Sequence, residues 1–366
     1  MGDIRFRDGM VPVASAGLPF QDYVYLRLSD DTPCGKMYVI ISHRKDLDGI
    51  ASASLSLRFV TKHKRQPYVI SLKDYTDEDP VVEEKFLELQ NSKFLITDLS
   101  TNLPNLEPIL EKLRTLKSWN NEISWFDHHP STEAIRSSLS SVVDTLDLRG
   151  SSTVASEITY QDLFVKNGLD DAHALLLSKL GRDSDLLELK YGVTSKLMAM
   201  IDYSNYLDKR SIIAPRLLQI VLQLAFPRIE ADEDGIVEPY QNGFIEEYEA
   251  LKTQERKKIL ADSEVFQAGK HSVVLFRFPT IFSGTQASLI VLDHFKTDVS
   301  IGLSDSGEGS VRRTVEDVSC RKIAELFGGG GHDFAAGFPT RKGKMSAAEL
   351  EQYKGKVKKA VVKLLS

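Results

Sequence analysis

Trp125-Phe126-Asp127-His128-His129-Pro130 sets a carboxylate and two imidazoles directly after a run of bulky apolar residues. Such a run reads as the end of a buried strand, and Pro130 prevents a ladder or helix from continuing straight through. Carboxylate and neutral imidazole together suit a divalent cation of borderline hardness, such as Mn²⁺ or Zn²⁺. Taken alone, the trio describes a surface turn with a satisfied histidine equally well. Other strand ends along the chain carry the same residue types, however. His43, Asp46, Asp48 and Gly49 follow the β-branched run at 37–41, and Asp98 follows the apolar run at 94–97. One helix cap uses one carboxylate, so two aspartates and a histidine ahead of a single helix exceed what capping requires.

These residues need a scaffold that brings strand ends together. Strands expected at 37–41, 68–72 and 94–97 alternate with helices expected at 50–60, 83–90 and 108–117, and the strand running into Asp127 follows. That alternation argues for a doubly wound α/β domain with a mostly parallel sheet and right-handed crossovers. Ligand crevices in such sheets lie at the carboxyl ends of the strands, where all of these polar residues fall. Gly150-Ser151-Ser152-Thr153 precedes a helix expected at 154–166 and either caps it or meets a phosphate. A buried helix expected at 173–180 runs into Gly181-Arg182-Asp183-Ser184-Asp185, a further acidic position.

Residues 190–226 read as helices, and the acidic stretch 230–238 reads as a solvated connection. A polar helix at 243–262 then leads to a second, smaller α/β unit, with strands expected at 273–276, 298–303 and 310–314 and helices at 286–295 and 318–327. The resulting division is an N-terminal arm over 1–36, a first domain over 37–229, a linker over 230–245 and a second domain over 246–366. Gly328 to Gly331 run into His332, Ala335, Ala336 and Gly337. Four successive glycines are costly in conformational entropy, so the run implies a close approach to that backbone. Residues 341–366 hold eight Lys or Arg against two Glu, which reads as an amphipathic helix with a solvated basic face.

With 366 residues the chain is long enough for two domains, each with its own core. A formal net charge of −6 argues against a duplex-DNA binder held by counterion release, while leaving room for a local basic site. Cys34 and Cys320 stand far apart, which argues against a disulfide framework or a cysteine zinc site. No apolar run approaches a membrane span, and the first residues have no apolar signal region. A cytoplasmic protein without a membrane partner is the expectation.

In these motifs the chain resembles the DHH phosphoesterases that carry the DHH-associated C-terminal domain: nanoRNase-type oligoribonucleases, RecJ-like exonucleases and cyclic-dinucleotide phosphodiesterases. The resemblance spans about residues 37–340 and rests on His43, Asp46, Asp48 and Gly49, on Asp98, on Asp127-His128-His129, on Asp183 or Asp185, and on the glycine run with His332, Ala336 and Gly337. Arg44 and Lys45 put two residues between His43 and Asp46, where the family usually has one or three. The resemblance implies a site in the cleft between the two domains with two Mn²⁺ ions, for which Mg²⁺ or Co²⁺ would substitute. One ion would be held by His43, Asp46 and Asp98, the other by Asp48, Asp98, His128 and Asp183, with Asp98 bridging and Asp185 the alternative fourth ligand. Asp127 and His129 would support the ligands or face substrate. Arg312, with Arg313 beside it, would grip a phosphate, and Gly329, Gly330, Gly331 and His332 would hold the substrate end.

The implied activity is hydrolysis of short single-stranded RNA or DNA to nucleoside 5′-monophosphates. Within the same chemistry stand hydrolysis of a dinucleotide or cyclic dinucleotide, dephosphorylation of 3′-phosphoadenosine 5′-phosphate, and RecJ-like 5′–3′ exonuclease action. An inactive RecJ-like scaffold in a replication complex is the reading from another class. The intact acid and histidine set argues against it, because a binding module gains nothing from a self-repelling charge cluster. A homodimer is compatible with all of these.

Overall fold

A computed structural model describes residues 37–366 apart from 75–80, 102, 151, 209–213, 228–235, 237–238, 305–306 and 341–345. The N-terminal arm and most of the acidic connection therefore lie outside the described residues. The chain gathers into two compact units, Met1–Ile245 and Glu246–Ser366.

The first unit is built on five parallel strands: β1 (Tyr38–His43), β2 (Tyr68–Lys73), β3 (Lys93–Thr97), β4 (Glu122–Asp127) and β5 (Thr145–Leu148). Their order is β2-β1-β3-β4-β5, so the winding reverses between β1 and β3. Helices cover both faces, which is why β1 is apolar at successive positions rather than at alternate ones. Tyr38 and Ile40 point into one core, and Val39 and Ile41 into the other. The first core lies under α1 (Leu47–Arg58), α4 (Ala155–Leu163), α5 (Ala172–Asp185), α6 (Gly192–Leu207) and α7 (Pro215–Ala225). The second lies under α2 (Leu103–Ser118) and α3 (Glu133–Ser140), where Trp125, Phe94 and Leu113 meet.

Every residue of α1 is buried, its serines included. Ser54 and Ser56 bond back to the carbonyls of Ile50 and Ser52, so their small hydroxyl side chains are satisfied within the enclosed helix. Arg58, at its end, is fully buried and donates to Asp171 at 2.8 Å and to the Ala225 carbonyl at 2.8 Å. It thus ties α1 to the N-cap of α5 and the end of α7.

The second unit begins within α8 (Pro239–Ala261), which starts inside the expected linker. Its sheet joins β6 (Glu264–Ala268), β7 (His271–Phe278), β8 (Val299–Ser304), β9 (Glu308–Arg313), β10 (Gly330–Gly331) and β11 (Ala335–Pro339) in the order β10-β11-β9-β8-β7-β6. Only β7 and β8 pair in parallel, joined through α9 (Gly284–Phe295). Helix α10 (Cys320–Glu325) leads into the glycine run, and α11 (Ala347–Leu365) buries Leu350, Val357 and Val361 against this core.

Two expectations need correction, and two elements went unread. The helix expected at 83–90 is a single turn, Glu84–Phe86, because Phe86 packs edge-on against Phe94 and the chain turns back through Asn91 at φ 53°. Helix α3 and strand β5, eight and four residues long, were too short to be read in advance. Helix α5 continues through Asp185, so both acidic residues of that segment sit on a helix rather than after it.

Candidate metal centre

The carboxyl ends of β1 and β3, where the winding reverses, are the crevice position of this sheet class. β1 ends on His43, and Asp46 caps α1 by accepting the Gly49 amide at 2.9 Å. The cap works because position 49 has no side chain: a Cβ there would lie 2.3 Å from the His43 carbonyl oxygen. His43 Nδ1 lies 3.0 Å from Asp46 Oδ2 and 3.6 Å from Asp98 Oδ2.

Asp98 follows β3 with φ 53°, a left-handed backbone that aspartate tolerates better than most residues. Its amide donates to the Phe126 carbonyl at 3.0 Å, which ties the turn to β4. From the end of β4, His128 Nε2 comes within 3.4 Å of Asp98 Oδ1 and 3.8 Å of Asp48 Oδ2. His129 Nδ1 lies 2.7 Å from Asp127 Oδ1 and 3.9 Å from Asp98 Oδ1. A hydrogen bond from Nδ1 to Asp127 fixes the ring and leaves Nε2 as the basic nitrogen.

Two groups of side chains bring their ligand atoms within 4.8 Å of one another: His43, Asp46 and Asp98, and Asp98, His128 and His129. They meet at Asp98. His129, expected as a supporting residue, therefore stands among the ligand atoms of the second group.

Asp48 and Asp183 take different positions. Asp48 is 1% exposed and accepts the amides of Ala155 at 2.7 Å and Ser156 at 3.0 Å, so it caps α4 from inside α1. The pair Asp46 and Asp48 thus supplies two caps to two helices, a possibility invisible without the fold. Asp183 is fully buried and accepts from the Lys190 amide at 2.7 Å, the Tyr191 amide at 3.2 Å and the Thr194 hydroxyl at 2.6 Å. It organises the loop into α6. Two residues along the helix, Asp185 Oδ2 lies 3.8 Å from His128 Nδ1. Of the two acidic residues of that segment, Asp185 is thus the one in ion-pair range of His128.

The electrostatics follow from several carboxyls packed in a dry crevice. Burial, and then the Asp98 charge, hold the Asp48 carboxyl well above the usual carboxylate range. Burial and the Asp46 charge likewise raise Asp98. Burial works against charge on His43, but Asp46 and Asp98 outweigh it and push the imidazole up to about 10. His128 goes up to about 9, with burial opposed by Asp98, Asp48 and Asp185. The hydrogen bond to Asp127 raises His129. Protons thus occupy a cluster whose charges a divalent cation would balance, and the two compete.

Whether the residues fit a cation is decided at Asp98. Both of its carboxylate oxygens are buried without a hydrogen-bond partner, although three imidazoles stand 3.4–3.9 Å away. A buried carboxylate without a hydrogen bond is expensive, and imidazoles in ion-pair range that make none leave its oxygens available to a cation. Oxygen and imidazole donors together fit a divalent cation of borderline hardness.

In the second unit, Arg312 donates to the Thr285 hydroxyl at 2.8 Å and the Ala336 carbonyl at 3.3 Å, so its guanidinium sits beside the first turn of α9. Arg313 turns to the carbonyls of Val315 and Glu316. The close approach demanded by the glycine run comes from β11. A Cβ at Gly329 would lie 2.1 Å from the Gly337 carbonyl oxygen, and Gly331 has φ 134°. The amide of Gly329 donates to the Ala324 carbonyl at 3.0 Å, and Gly330 and Gly331 pair with Gly337 and Ala336. Part of the backbone of 329–331, expected to hold the substrate end, is thus engaged in strand pairing.

No family model matches the sequence, and no curated protein matches it closely enough to establish kinship. Solved structures are similar. An exonuclease RecJ bound to manganese superposes with a TM-score of 0.56 at 15% identity, over 89% of this chain and 90% of that one. The pGpG-specific phosphodiesterase PggH of Vibrio cholerae gives 0.48 at 12% identity, over 90% of this chain and 100% of that one. RecJ of Thermus thermophilus in complex with Mg²⁺ gives 0.45 at 15% identity, over 90% of this chain and 50% of that one. The chain thus has the fold of a RecJ exonuclease, in line with the fold implied by its motifs. Among the described residues no helix is long and apolar enough to cross a membrane.

Proposed function

We propose that the chain is a metal-dependent phosphodiesterase that hydrolyses short single-stranded oligonucleotides to nucleoside 5′-monophosphates. The observation that carries the reading is Asp98, whose two oxygens make no hydrogen bond and which is shared by the groups His43, Asp46, Asp98 and Asp98, His128, His129. His43, Asp46 and Asp98 would hold one Mn²⁺, and Asp98, His128 and His129, with Asp48 and Asp185 close by, a second. Bound divalent cations would neutralise charge on the phosphate and lower the pKa of water at neutral pH.

The protein's own residues do the rest. Asp127 fixes the His129 ring, and Asp48 locks α4 against α1 so that the acidic rim keeps its spacing. Arg312 offers a planar donor set that recognises phosphate in a way lysine does not reproduce. The division of labour is a catalytic first domain over 37–229 and a substrate-binding second domain over 246–366.

The test is an assay of purified protein with Mn²⁺ against RNA and DNA of two to twenty residues, cyclic dinucleotides and 3′-phosphoadenosine 5′-phosphate. Preferred release of mononucleotides from the shortest strands supports the reading. Turnover confined to cyclic dinucleotides or to 3′-phosphoadenosine 5′-phosphate would replace the substrate and keep the chemistry. Full activity in excess chelator would remove the metal reading.

A further inference from the structure

The loop between β10 and β11 displays an aromatic ring for which the reading above has no use. Phe334 is 62% exposed, and its ring lies 3° from parallel to that of His332 with centroids 5.2 Å apart. The backbone on either side is tied down. The His332 amide donates to the Ala335 carbonyl at 2.8 Å, and the Asp333 carbonyl accepts the Cys320 amide at 2.8 Å. The Asp333 carboxylate accepts from the Ser319 hydroxyl at 2.5 Å and from Arg321 at 3.1 Å. Phe334 is thus held out in water by a braced turn rather than by a fraying end.

A single exposed leucine such as Leu289, 61% exposed on α9, calls for no explanation. Phe334 differs in two respects: a second ring is aligned with it, and its surroundings are cationic. Ala335 pairs with Arg312 across the ladder, Arg313 follows on the same strand, and Arg321 bonds to Asp333. Arg312 opposite Ala335 and Arg321 on Asp333 bring guanidiniums to this turn, which favours an anionic partner over an apolar protein surface. Opposed residues in an antiparallel ladder lie ~5 Å apart and consecutive Cα atoms ~3.8 Å, so Phe334 and Arg312 are separated by roughly 10 Å of backbone at most. A nucleotide spans that interval between its base and its phosphate.

Resting on the phosphodiesterase reading, we propose that Phe334, backed by His332, is a stacking platform for one nucleobase of the strand whose phosphate Arg312 holds. Every base has a flat π face, so such a platform would gain affinity from any base without reading sequence. It would also give the protein a means of telling an oligonucleotide from other phosphate-rich chains.

The experiment is binding by the full-length chain in excess chelator, so that turnover plays no part. The probes are a five-residue oligoadenylate and a five-residue abasic strand of the same charge. Wild type should bind the oligoadenylate more tightly. Phe334→Ala and Phe334→Leu should both weaken that binding roughly 5- to 100-fold, the range expected for losing one stacked base, and leave the abasic strand unaffected. Phe334→Trp should retain affinity, and its fluorescence should be quenched by oligoadenylate alone; the natural tryptophans, Trp119 and Trp125, are both in the first unit. Equal wild-type affinity for the two strands, or unchanged oligoadenylate affinity in Phe334→Ala, would overturn the platform. Such a result leaves the hydrolysis assay untouched, and a failed hydrolysis assay leaves the difference between the two strands standing.

Discussion

Replacing Gly181 by alanine should disturb the metal centre from within the core. Alanine in place of an interior helical glycine ordinarily gains about 0.8–1 kcal/mol. Here the new Cβ would stand 2.1 Å from Ser156 Oγ and 2.7 Å from Asp48 Oδ1. Ordinary contacts begin near ~3.5 Å, so the overlap with the serine exceeds ~1 Å. Rotating the hydroxyl away would break its 3.2 Å bond to the Ser178 carbonyl and still leave the aspartate too close. Overpacking of this kind costs about 1–3 kcal/mol, so after the propensity gain the net loss is about 0–2 kcal/mol. The displaced atom belongs to Asp48, beside His128, so Mn²⁺ affinity should fall roughly 10–100-fold, as it does when a supporting contact is lost. Gly355, inside α11, meets nothing within 4 Å and provides the matched control. Gly355→Ala should stabilise by about 0.4–1 kcal/mol. Amide hydrogen exchange, compared over α5 and α11, reads both signs, and calorimetry with Mn²⁺ reads the affinity. Stabilisation of α5 by Gly181→Ala, with unchanged Mn²⁺ affinity, would refute the packing of α5 on Asp48.

At Asp98, substitution by asparagine removes the carboxylate shared by both groups of side chains. Mn²⁺ at about a hundredfold its dissociation constant should stabilise wild type by about 2.7 kcal/mol and the variant hardly at all, as thermal unfolding will show. Arg58→Met should destabilise the first unit by about 1.5–3 kcal/mol, since it removes a buried charged hydrogen bond from Asp171, which keeps Lys62 and the Ala174 amide as partners. In wild type, burial raises the Asp171 pKa, but Arg58 and the Ala174 amide outweigh it and hold the carboxyl well below the usual range. A depressed folded pKa stabilises above the unfolded value of about 3.9 and is lost below it, so wild type should lose stability through that window and Arg58→Met should lose less. Arg312→Ala should chiefly raise KM on short strands, by about 1.5–3 kcal/mol for a charged hydrogen bond, and an unchanged KM would remove its role.

The first domain was legible because parallel strands buried on both faces are apolar throughout, and each delivers its polar residues at the same end. That His43, Asp46, Asp98 and His128 gather at one rim could be read from that rule together with the motif resemblance, whereas His129 was expected only in support. The roles of Asp48 and Asp183 could not. Asp48 caps a helix more than a hundred residues away, at Ala155 and Ser156, and such a cap leaves no local spacing to recognise. The choice between Asp183 and Asp185 depends on how far α5 runs, and its apolar period fades before either residue. The glycine run signalled a close approach without naming the neighbour, which proved to be β11. Phe334 went unread because an exposed ring next to a histidine leaves no periodic trace.

Helix α1 is enclosed on every side and carries Asp46 at its cap and Asp48 in its first turn. Selection for packing and selection for chemistry therefore fall on the same twelve-residue helix. A core substitution tolerable elsewhere would here shift a carboxylate, and an adjustment of the rim would have to pass through a helix with no free face. Lineages descending from such a scaffold have little room to explore α1, and new specificities would have to arise on the exposed parts of the chain, the braced turn carrying Phe334 among them.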